Sequence, residues 1–313
     1  MKALMIEHAG IAFRDAPVRK PGGECLIRVR LAGICGTDLQ LLDGYAGFRG
    51  IPGHEFVGIV ESAPPGDAHW IGKRVVGEIN VGCGACEFCA EGVREHCIRR
   101  TVVGIRDRDG AFAEYLTLPA SNLHEIPADM NDNTAVFVEP VAAACRILEQ
   151  VVVHAEMRVA VLGDGRLGLL VAQVLRTAAQ DVVIFGRHEH KLTIARSLGL
   201  AVAKQSIPAG FDIVVDATGR PGGLARALEL VRARGTIVMK STFHGEAKTA
   251  SWPIVVNEVT IVGSRCGPFP RAIEVLASGA VRAEPLVARV VALEDFESAF
   301  LAARRGLKVL FQL

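Results

Sequence analysis

The 313-residue sequence is poor in aromatic residues and has no excess of either charge. Aromatic side chains make up 5% of the chain, and 35 basic residues against 34 acidic residues leave a formal net charge of +1. Such a balance gives no electrostatic reason to expect a nucleic acid or an anionic membrane surface as a partner. The apolar stretches are also interrupted, for example at Val159–Leu175 by Asp164 and Arg166. No membrane span is therefore predicted.

The amino-terminal residues lack the apolar segment of a secretory signal, because Glu7 and His8 follow too early. We therefore expect a cytoplasmic protein, in a compartment that keeps thiols reduced. The eight cysteines are then expected to be free thiols or metal ligands rather than disulfides. The length is sufficient for two domains, each with its own hydrophobic core.

The two parts of the chain differ in their pattern of apolar residues. Up to about residue 140, short runs such as Leu26–Leu31 and Phe56–Glu61 are separated by turn residues, which predicts a β-rich region. From about Val141, apolar strands alternate with helical stretches, beginning with Arg158–Leu162 and Leu167–Ala178. This alternation is typical of an α/β domain with a doubly wound parallel sheet.

Four cysteines lie within fifteen positions in the pattern Cys-x2-Cys-x2-Cys-x7-Cys, namely Cys83, Cys86, Cys89 and Cys97. Four thiolates this close together suit a closed tetrahedral zinc site that holds together a short lobe, residues 82–98. Iron also binds four thiolates, so the spacing indicates a metal site more firmly than it indicates the metal. His96 lies beside the last cysteine, but the set of four ligands is complete without it.

A glycine-rich loop, Gly-x-Gly-x-x-Gly, follows the apolar strand candidate that ends at Leu162. Glycines at 163, 165 and 168 allow a tight turn, close approach of the backbone to a pyrophosphate, and packing of the next helix. The amino terminus of that helix would present its N–H groups to the phosphates. Because the loop lies between a strand and an amphipathic helix, it predicts a nicotinamide dinucleotide site rather than an ordinary glycine turn.

The end of the second strand of this domain predicts which cofactor binds. NAD sites usually place Asp or Glu there to hold the ribose 2′-hydroxyl, whereas this chain has Gly186, Arg187 and His188, with Lys191 one turn later. Glycine makes room and the cations attract a 2′-phosphate, so we predict NADP in preference to NAD. Glu189, the acid nearby, is expected to point outward. The alternative is that the cations form a solvated basic edge.

A second set of metal-binding residue types lies near the amino terminus. Cys35 and the pair His54 and Glu55 are nineteen residues apart, and each lies beside a strand-like run. A thiolate, an imidazole and a carboxylate make a mixed zinc site that can leave one position open for substrate. Each fragment alone is a weak signal, because a solitary Cys or His is more often a core or surface residue. Together with the cysteine quartet and the glycine loop, they predict a catalytic zinc.

These motifs make the sequence similar to the zinc-containing medium-chain alcohol dehydrogenase/reductase family over nearly the whole chain. The segments that follow the order of the family are Gly33-Ile34-Cys35-Gly36-Thr37-Asp38, Pro52-Gly53-His54-Glu55, the cysteine quartet, Glu139-Pro140, the glycine loop and Asp216-Ala217-Thr218-Gly219. The Glu-Pro pair resembles the polyol, glucose and threonine dehydrogenase branch. The resemblance implies a GroES-like β-rich catalytic domain, residues 1–140 and 267–313, around an inserted Rossmann domain, residues 141–266. The active site would lie in the cleft between the two domains.

The resemblance also implies roles for particular residues. The expected catalytic residues are Cys35, Thr37, Asp38, His54, Glu55 and Glu139. Cys35 and His54 would bind zinc together with Glu55, Glu139 or both, and the sequence leaves that choice open. The aspartate would orient the imidazole through its distal ring nitrogen. The threonine would start a proton relay, whose further route is open because Gln40 stands where many relatives carry a histidine.

The implied reaction transfers a hydride between a secondary alcohol, polyol or sugar, or the matching carbonyl compound, and the nicotinamide cofactor. Two zinc ions per chain are expected, one catalytic and one structural, and the resemblance suggests a homodimer or homotetramer with a small-molecule substrate. The expected cofactor contacts are Gly163, Gly165, Arg166, Leu167, Gly168, Arg187, His188, Lys191, Thr218 and Arg265.

Two other functions were weighed against this prediction. The chain could be an enone-type reductase that does not use zinc in its redox chemistry, or a cofactor-binding relative without catalysis. Relatives of either kind are expected to lack the Cys, His and Glu set, which this chain retains. Three residues between the two ligand segments are candidates to line the substrate pocket, with a surface loop as the alternative, namely Tyr45, Phe48 and Arg49.

Overall fold

The computed structural model describes residues 1–8, 10–19, 22–204, 209–242, 246 and 249–313, and the chain divides into two units. The first unit comprises Met1–Glu139 and Val287–Leu313, and the second comprises Pro140–Leu286. The first boundary lies within one residue of the predicted one. The second lies after Leu286, whereas the sequence predicted that the inserted domain ends at residue 266.

The strands, in chain order, are β1 (Lys2–Glu7), β2 (Gly10–Asp15), β3 (Cys25–Gly33), β4 (Glu55–Ser62), β5 (Arg74–Gly77), β6 (Asn80–Val81), β7 (Thr101–Val102), β8 (Tyr115–Leu118), β9 (Leu123–Glu125), β10 (Arg158–Leu162), β11 (Asp181–Phe185), β12 (Ala201–Ala203), β13 (Phe211–Asp216), β14 (Val231–Met239), β15 (Thr260–Gly263), β16 (Val287–Ala292) and β17 (Lys308–Gln312). The α-helices are α1 (Gly36–Leu42), α2 (Glu87–Ala90), α3 (Asp132–Ala135), α4 (Val138–Gln150), α5 (Arg166–Leu175), α6 (Glu189–Ser197), α7 (Gly223–Leu230), α8 (Trp252–Val256), α9 (Phe269–Ala277) and α10 (Phe296–Arg305). In the part of the chain that the structure describes, each helix falls short of the length and apolarity needed to span a bilayer.

The first unit is built around a seven-stranded sheet. Six strands follow the order β16-β17-β3-β4-β5-β9, and β8 also pairs with β3. Strand β3 forms because apolar and charged residues alternate along it, so that Ile27 and Val29 are buried while Arg28 and Arg30 are exposed. Phe48, which was weighed as a pocket residue, is 6% exposed and packs in a core cluster of this unit.

The second unit is built around a six-stranded parallel sheet with the order β12-β11-β10-β13-β14-β15. This is the order expected of a dinucleotide-binding doubly wound sheet, because the chain winds outward in one direction from β10 and then in the other from β13. The central strands are apolar along their whole length, as in Val159–Leu162, because helices cover both faces of such a sheet. The ligand side is the edge where the carboxyl ends of β10 and β13 lie side by side.

The segment after β15 belongs to the second unit for two reasons. Gly267, just before α9, lies against α4 of this unit, where a Cβ would be 2.1 Å from the carbonyl oxygen of Ala142. Farther along, the backbone N–H of Arg282 donates to Oε1 of Gln173 on α5 at 2.8 Å, and the Gln173 amide donates back to the Arg282 carbonyl at 3.3 Å. These contacts carry the unit boundary past the position that the sequence predicted.

Candidate active site and metal centres

Strand pairing brings distant segments of the first unit together. Gly33, the last residue of β3, pairs in antiparallel register with Glu55, the first residue of β4. On its other side Gly33 pairs with Leu310 of β17. In an antiparallel pair, the residues just beyond the end of one strand lie beside the start of its partner. Cys35, Glu55 and Lys308 are therefore neighbours, although Glu55 and Lys308 are 253 residues apart in the chain.

Cys35, His54 and Glu55 form a group of potential metal ligands. The Cys35 sulfur, a ring nitrogen of His54 and a carboxylate oxygen of Glu55 lie within 4.8 Å of one another. The histidine and the glutamate are buried, and the cysteine is half-buried. Thiolate, imidazole and carboxylate are ligands that suit zinc, so the donor set fits the ion. Three protein ligands are typical of catalytic zinc sites, where a fourth position serves the substrate.

Asp38 lies next to the imidazole of His54. Oδ1 of Asp38 faces Nδ1 of His54 at 3.4 Å, while its Oδ2 accepts the backbone N–H of Cys35 at 2.7 Å. The pKa of His54 is well above its ordinary value of 6.5, because burial lowers it but the charges of Asp38 and Cys35 raise it more. The site therefore favours a positive charge, and Nε2 is the ring nitrogen left for a metal.

Glu55 forms an ion pair with a buried lysine that the sequence pattern did not reveal. Oε2 of Glu55 accepts from Nζ of Lys308, which also donates to the carbonyl of Ile34 at 3.4 Å. The two side chains are 1% and 2% exposed. Gly33 makes room for the pair, since a Cβ at this position would lie 2.6 Å from Oε2 of Glu55. A lysine at the start of an apolar strand was the available signal, because a buried lysine needs a partner.

Replacing Lys308 by Met is expected to destabilise the fold by about 3–5 kcal/mol. The change removes one partner of a buried ion pair, so that the carboxylate of Glu55 is left buried without its counter-charge. Urea unfolding followed by circular dichroism measures the loss. As a matched control, Lys73→Met removes an exposed pair with Glu125 and is expected to cost less than about 1 kcal/mol. Equal losses in the two variants would contradict this prediction.

The two other predicted catalytic residues differ in their relation to the ligand group. Oγ1 of Thr37 lies 3.9 Å from the Cys35 sulfur, at the start of α1. Glu139 is half-buried in the first turn of α4, and among the described residues it is not part of the group within 4.8 Å. A direct ligand role for Glu139 therefore stays a prediction. Glu55 is the carboxylate that the strand register brings to Cys35.

The four cysteines of the 82–98 lobe also converge. Their sulfur atoms lie within 4.8 Å of one another in a group that does not include His96, and the structure, which describes every cysteine, contains no disulfide. Nη2 of Arg99 donates to the sulfur of Cys83 at 3.3 Å. The backbone N–H of Cys83 donates to the sulfur of Cys97, also at 3.3 Å. The pKa of Cys83 is lowered to about 6, chiefly by the backbone N–H of Ala85. Four thiolate donors in this arrangement fit a structural zinc.

The second unit contains a cavity of about 980 Å³, lined by the residues that follow β10, β11 and β13. It lies at the switch point of the sheet, where doubly wound folds bind their ligands. The glycine loop at its edge fits a dinucleotide. A Cβ at Gly165 would meet nothing within 4 Å, whereas a Cβ at Gly163 would lie 2.6 Å from the carbonyl oxygen of Ala217 and one at Gly168 would overlap that of Gly163. The loop is therefore tight against the protein and open toward the cavity.

Six of the ten predicted cofactor contacts line this cavity, namely Gly163, Gly165, Arg187, His188, Lys191 and Thr218. The other four are not among its lining residues. Arg166, Leu167 and Gly168 form the first turn of α5, and Arg265 follows β15, where its carbonyl accepts from Nζ of Lys240 at 2.7 Å. Several polar lining residues carried no sequence signal, namely Asp164, Lys204, Arg220 and Arg226.

Lys191 is buried beside other cations. Burial lowers its pKa below the ordinary value of 10.5, and the charges of Arg166 and Arg220 lower it further, although Asp164 opposes them. An anion such as a phosphate binds favourably beside cations that repel one another, because it relieves that repulsion. The wall of the cavity near Lys191 is therefore suited to a phosphate group.

Asp164 connects the glycine loop to the turn after β11. Its Oδ2 accepts the backbone N–H groups of Arg187 and His188, each at 2.7 Å, and its Oδ1 lies 2.9 Å from Nδ1 of His188. Asp164 is 6% exposed. Burial raises its pKa, but the hydrogen bonds from His188 and Arg187 lower it more, so that the pKa lies below the ordinary value of 3.8.

Replacing Asp164 by Asn is expected to lower the thermal midpoint most strongly near neutral pH. Since the folded pKa of Asp164 lies below the unfolded value, the carboxylate stabilises the fold above the unfolded pKa, and this stability is lost as the pH falls through the folded pKa. The difference between the variant and the wild type should therefore shrink below about pH 4. Thermal denaturation across a pH series measures it. A difference that does not change with pH would contradict the prediction.

Comparison with known proteins agrees with both units. Residues 21–128 match the family model of the alcohol dehydrogenase GroES-like domain, and residues 167–278 match that of the zinc-binding dehydrogenases. D-arabinitol dehydrogenase 1 of Uromyces fabae is 31% identical, over 91% of this chain and 89% of that protein.

Two solved structures resemble the fold over the full chain. The RspB alcohol dehydrogenase of Escherichia coli, in complex with NADH, is 26% identical with a TM-score of 0.93, over 100% of this chain and 99% of that one. A zinc-binding dehydrogenase structure from Sinorhizobium meliloti, bound to NADP, is 30% identical with a TM-score of 0.92 and the same coverage. With both family models, these similarities confirm the fold and the reaction class that the motifs predicted. The chain belongs to the zinc-containing medium-chain alcohol dehydrogenase/reductase family and is a nicotinamide-dependent alcohol dehydrogenase.

Proposed function

We propose that the chain is a zinc-dependent dehydrogenase that transfers a hydride between a secondary alcohol or polyol and NADP, which it prefers to NAD. The observation that carries this proposal is the convergence of Cys35, His54 and Glu55, whose donor atoms lie within 4.8 Å of one another. Enone-type reductases and non-catalytic relatives are expected to lack such a donor set, which this chain retains. The polyol class is supported by the similarity to D-arabinitol dehydrogenase 1.

Zinc bound by these three residues would supply Lewis-acid chemistry at the substrate oxygen. The residues around it would then have distinct tasks. Asp38 would keep His54 in the orientation and tautomer that leave Nε2 for the metal. Thr37, with its hydroxyl 3.9 Å from the Cys35 sulfur, would accept the alcohol proton at Oγ1 and pass it toward solvent. Lys308 would hold Glu55 and balance its charge.

The cysteine quartet would hold a second, structural zinc, so that the purified chain should contain two zinc ions. Metal analysis separates the proposal from the other functions. Two ions per chain support a catalytic zinc, whereas a single ion held by the quartet would favour an enone-type reductase or a non-catalytic protein. A panel of secondary alcohols, polyols, sugars and hydroxy amino acids, assayed by the absorbance of reduced cofactor, then tests the substrate class.

The preference for NADP is supported by the charges around the cavity of the second unit. Lys191, Arg220 and His188 line it, and Gly186 stands where a carboxylate would repel a 2′-phosphate. Glu189 forms ion pairs at the surface with Arg196 and Lys204, which oppose its charge. Because one similar structure carries NADH and another NADP, the fold alone does not choose between the cofactors.

We expect kcat/KM for NADP to exceed that for NAD by about tenfold or more, since one charged contact to the 2′-phosphate contributes on the order of 1.4 kcal/mol. Replacing Lys191 by Gln should lower kcat/KM for NADP more than for NAD. As a control, Lys73→Gln changes a lysine of the first unit and should leave the ratio unchanged. A tenfold preference of the wild type for NAD would refute the proposed preference.

A further inference from the structure

We propose that Asp164 and Gly186 together determine cofactor selectivity. The carboxylate of Asp164 occupies the space that a side chain at position 186 would need, and it orients the imidazole of His188 to bind an anion. Both residues line the cavity of the second unit. The proposal rests on the proposed dinucleotide function. It adds Asp164 as a positioning residue, at a place where the Gly-x-Gly-x-x-Gly motif allows any residue type.

The space at position 186 is already filled. A Cβ on Gly186 would lie 2.5 Å from the Cβ of Asp164, 2.6 Å from its Oδ2 and 2.7 Å from Cδ2 of Leu192. The backbone of Gly186 is not in the left-handed region, so its conformation alone would accept any residue. Glycine is therefore required by neighbouring side chains, with Asp164 the nearest and the flexible end of Leu192 next, and not by the turn itself.

The chain thus has a buried carboxylate near the position where NAD-binding chains place theirs, but it comes from the loop after β10. Its oxygens are occupied by the backbone N–H groups of Arg187 and His188 and by Nδ1 of His188. A carboxylate that accepts these donors has little capacity left for a ribose hydroxyl. Since Nδ1 of His188 is held by Asp164, Nε2 is the ring nitrogen that can face a ligand in the cavity.

Charged groups from every neighbouring element then set the preference at this wall. Arg166 on α5 and Arg220 after β13 each interact electrostatically with Lys191 on α6, and the carboxylate of Asp164 opposes them. Lys204 after β12 and Arg226 on α7 are opposed by Glu189 and Glu229, with which they form ion pairs. The balance is positive, which favours a 2′-phosphate over a hydroxyl.

A thermodynamic cycle at positions 164 and 186 tests the proposal. Calorimetry measures the dissociation constants of adenosine 2′,5′-bisphosphate and adenosine 5′-monophosphate for the full chain and its variants. Gly186→Asp alone should weaken both ligands about tenfold or more, because the new side chain overlaps Asp164 and adds a second carboxylate. In the double variant with Asp164→Gly, the dissociation constant of the monophosphate should return to about the wild-type value, and the preference between the two ligands should reverse.

Two control variants make the cycle specific. Asp164→Ala should not rescue Gly186→Asp, because an alanine keeps the Cβ that lies 2.5 Å from the new one. Gly222→Asp places a carboxylate in the same cavity lining with nothing within 4 Å of its Cβ, so Asp164→Gly should not alter its effect. If Gly186→Asp does not fold, as judged by circular dichroism, Gly186→Ala carries the same overlap without the charge.

Wild-type affinity in the Gly186→Asp variant, or additive effects in the double variant, would overturn the proposal. A wild type that prefers the monophosphate would instead overturn the proposed NADP preference. In that case the coupling between positions 164 and 186 is still read from the monophosphate alone, so the two failures are distinguishable.

Discussion

Replacing Cys35 by Ser is expected to lower kcat/KM by about three orders of magnitude or more, because metal catalysis contributes several kcal/mol of transition-state stabilisation and each 1.36 kcal/mol is a factor of ten. A hydroxyl binds zinc far more weakly than a thiolate, so two ligands, His54 and Glu55, would remain of the group within 4.8 Å. Steady-state kinetics and metal analysis measure the two losses. Dinucleotide binding should persist, since the glycine loop belongs to the second unit.

Cys25→Ser is the matched control for this variant. Cys25 lies in β3 of the same unit, is fully buried, and lies ten residues from Cys35, outside both groups of metal ligands among the described residues. The control should keep both zinc ions and most of its activity. Substantial turnover by Cys35→Ser with its zinc content unchanged would contradict a catalytic metal at this site.

Replacing Cys89 by Ser is expected to remove one zinc ion per chain and to lower the thermal midpoint by roughly ten degrees or more, because structural zinc contributes directly to folding. The lobe has little other support, since α2 has only four residues and β6 and β7 have two each. The sulfur of Cys89 also packs against Gly82, where a Cβ would lie 2.8 Å from it. Differential scanning calorimetry and metal analysis measure both effects.

His96→Ala is the control for the lobe, because His96 lies beside Cys97 but outside the group of four sulfurs. It should retain two zinc ions and lose little stability. A Cys89→Ser variant with two zinc ions and an unchanged midpoint would show that Cys89 is not needed to hold the metal, whereas loss of one ion with an unchanged midpoint would show that the fold does not depend on it.

Features that are specified by residues close together in the sequence were predictable. The predicted apolar run Arg158–Leu162 coincides with β10, because a strand buried on both faces needs an unbroken apolar sequence. The glycine loop was predictable for the same reason, since a strand, a tight turn and a helix follow one another directly. The cysteine quartet needs no knowledge of the fold, because all four ligands lie within fifteen residues.

Features that depend on pairing between distant strands were only partly predictable. The residues Cys35, His54 and Glu55 could be nominated from their types, but the register of Gly33 with Glu55 is what brings their donor atoms together. The partner of Lys308 could not be predicted, although a lysine beside an apolar run was a signal that it needs one. Its partner is 253 residues away, and it is placed by the pairing of β17 with β3.

The amino-acid sequence by itself determined the β-rich character of the first unit, the doubly wound pattern of the second, the clustering of the four cysteines and the dinucleotide loop, since each is specified by neighbouring residues. The tertiary structure alone decided that Glu55 pairs with Lys308, that Asp164 fills the space at Gly186, and that residues 267–286 belong to the second unit. The physical reason is that side chains far apart in the chain meet only once strand register and helix packing are set, and neither is contained in a local pattern.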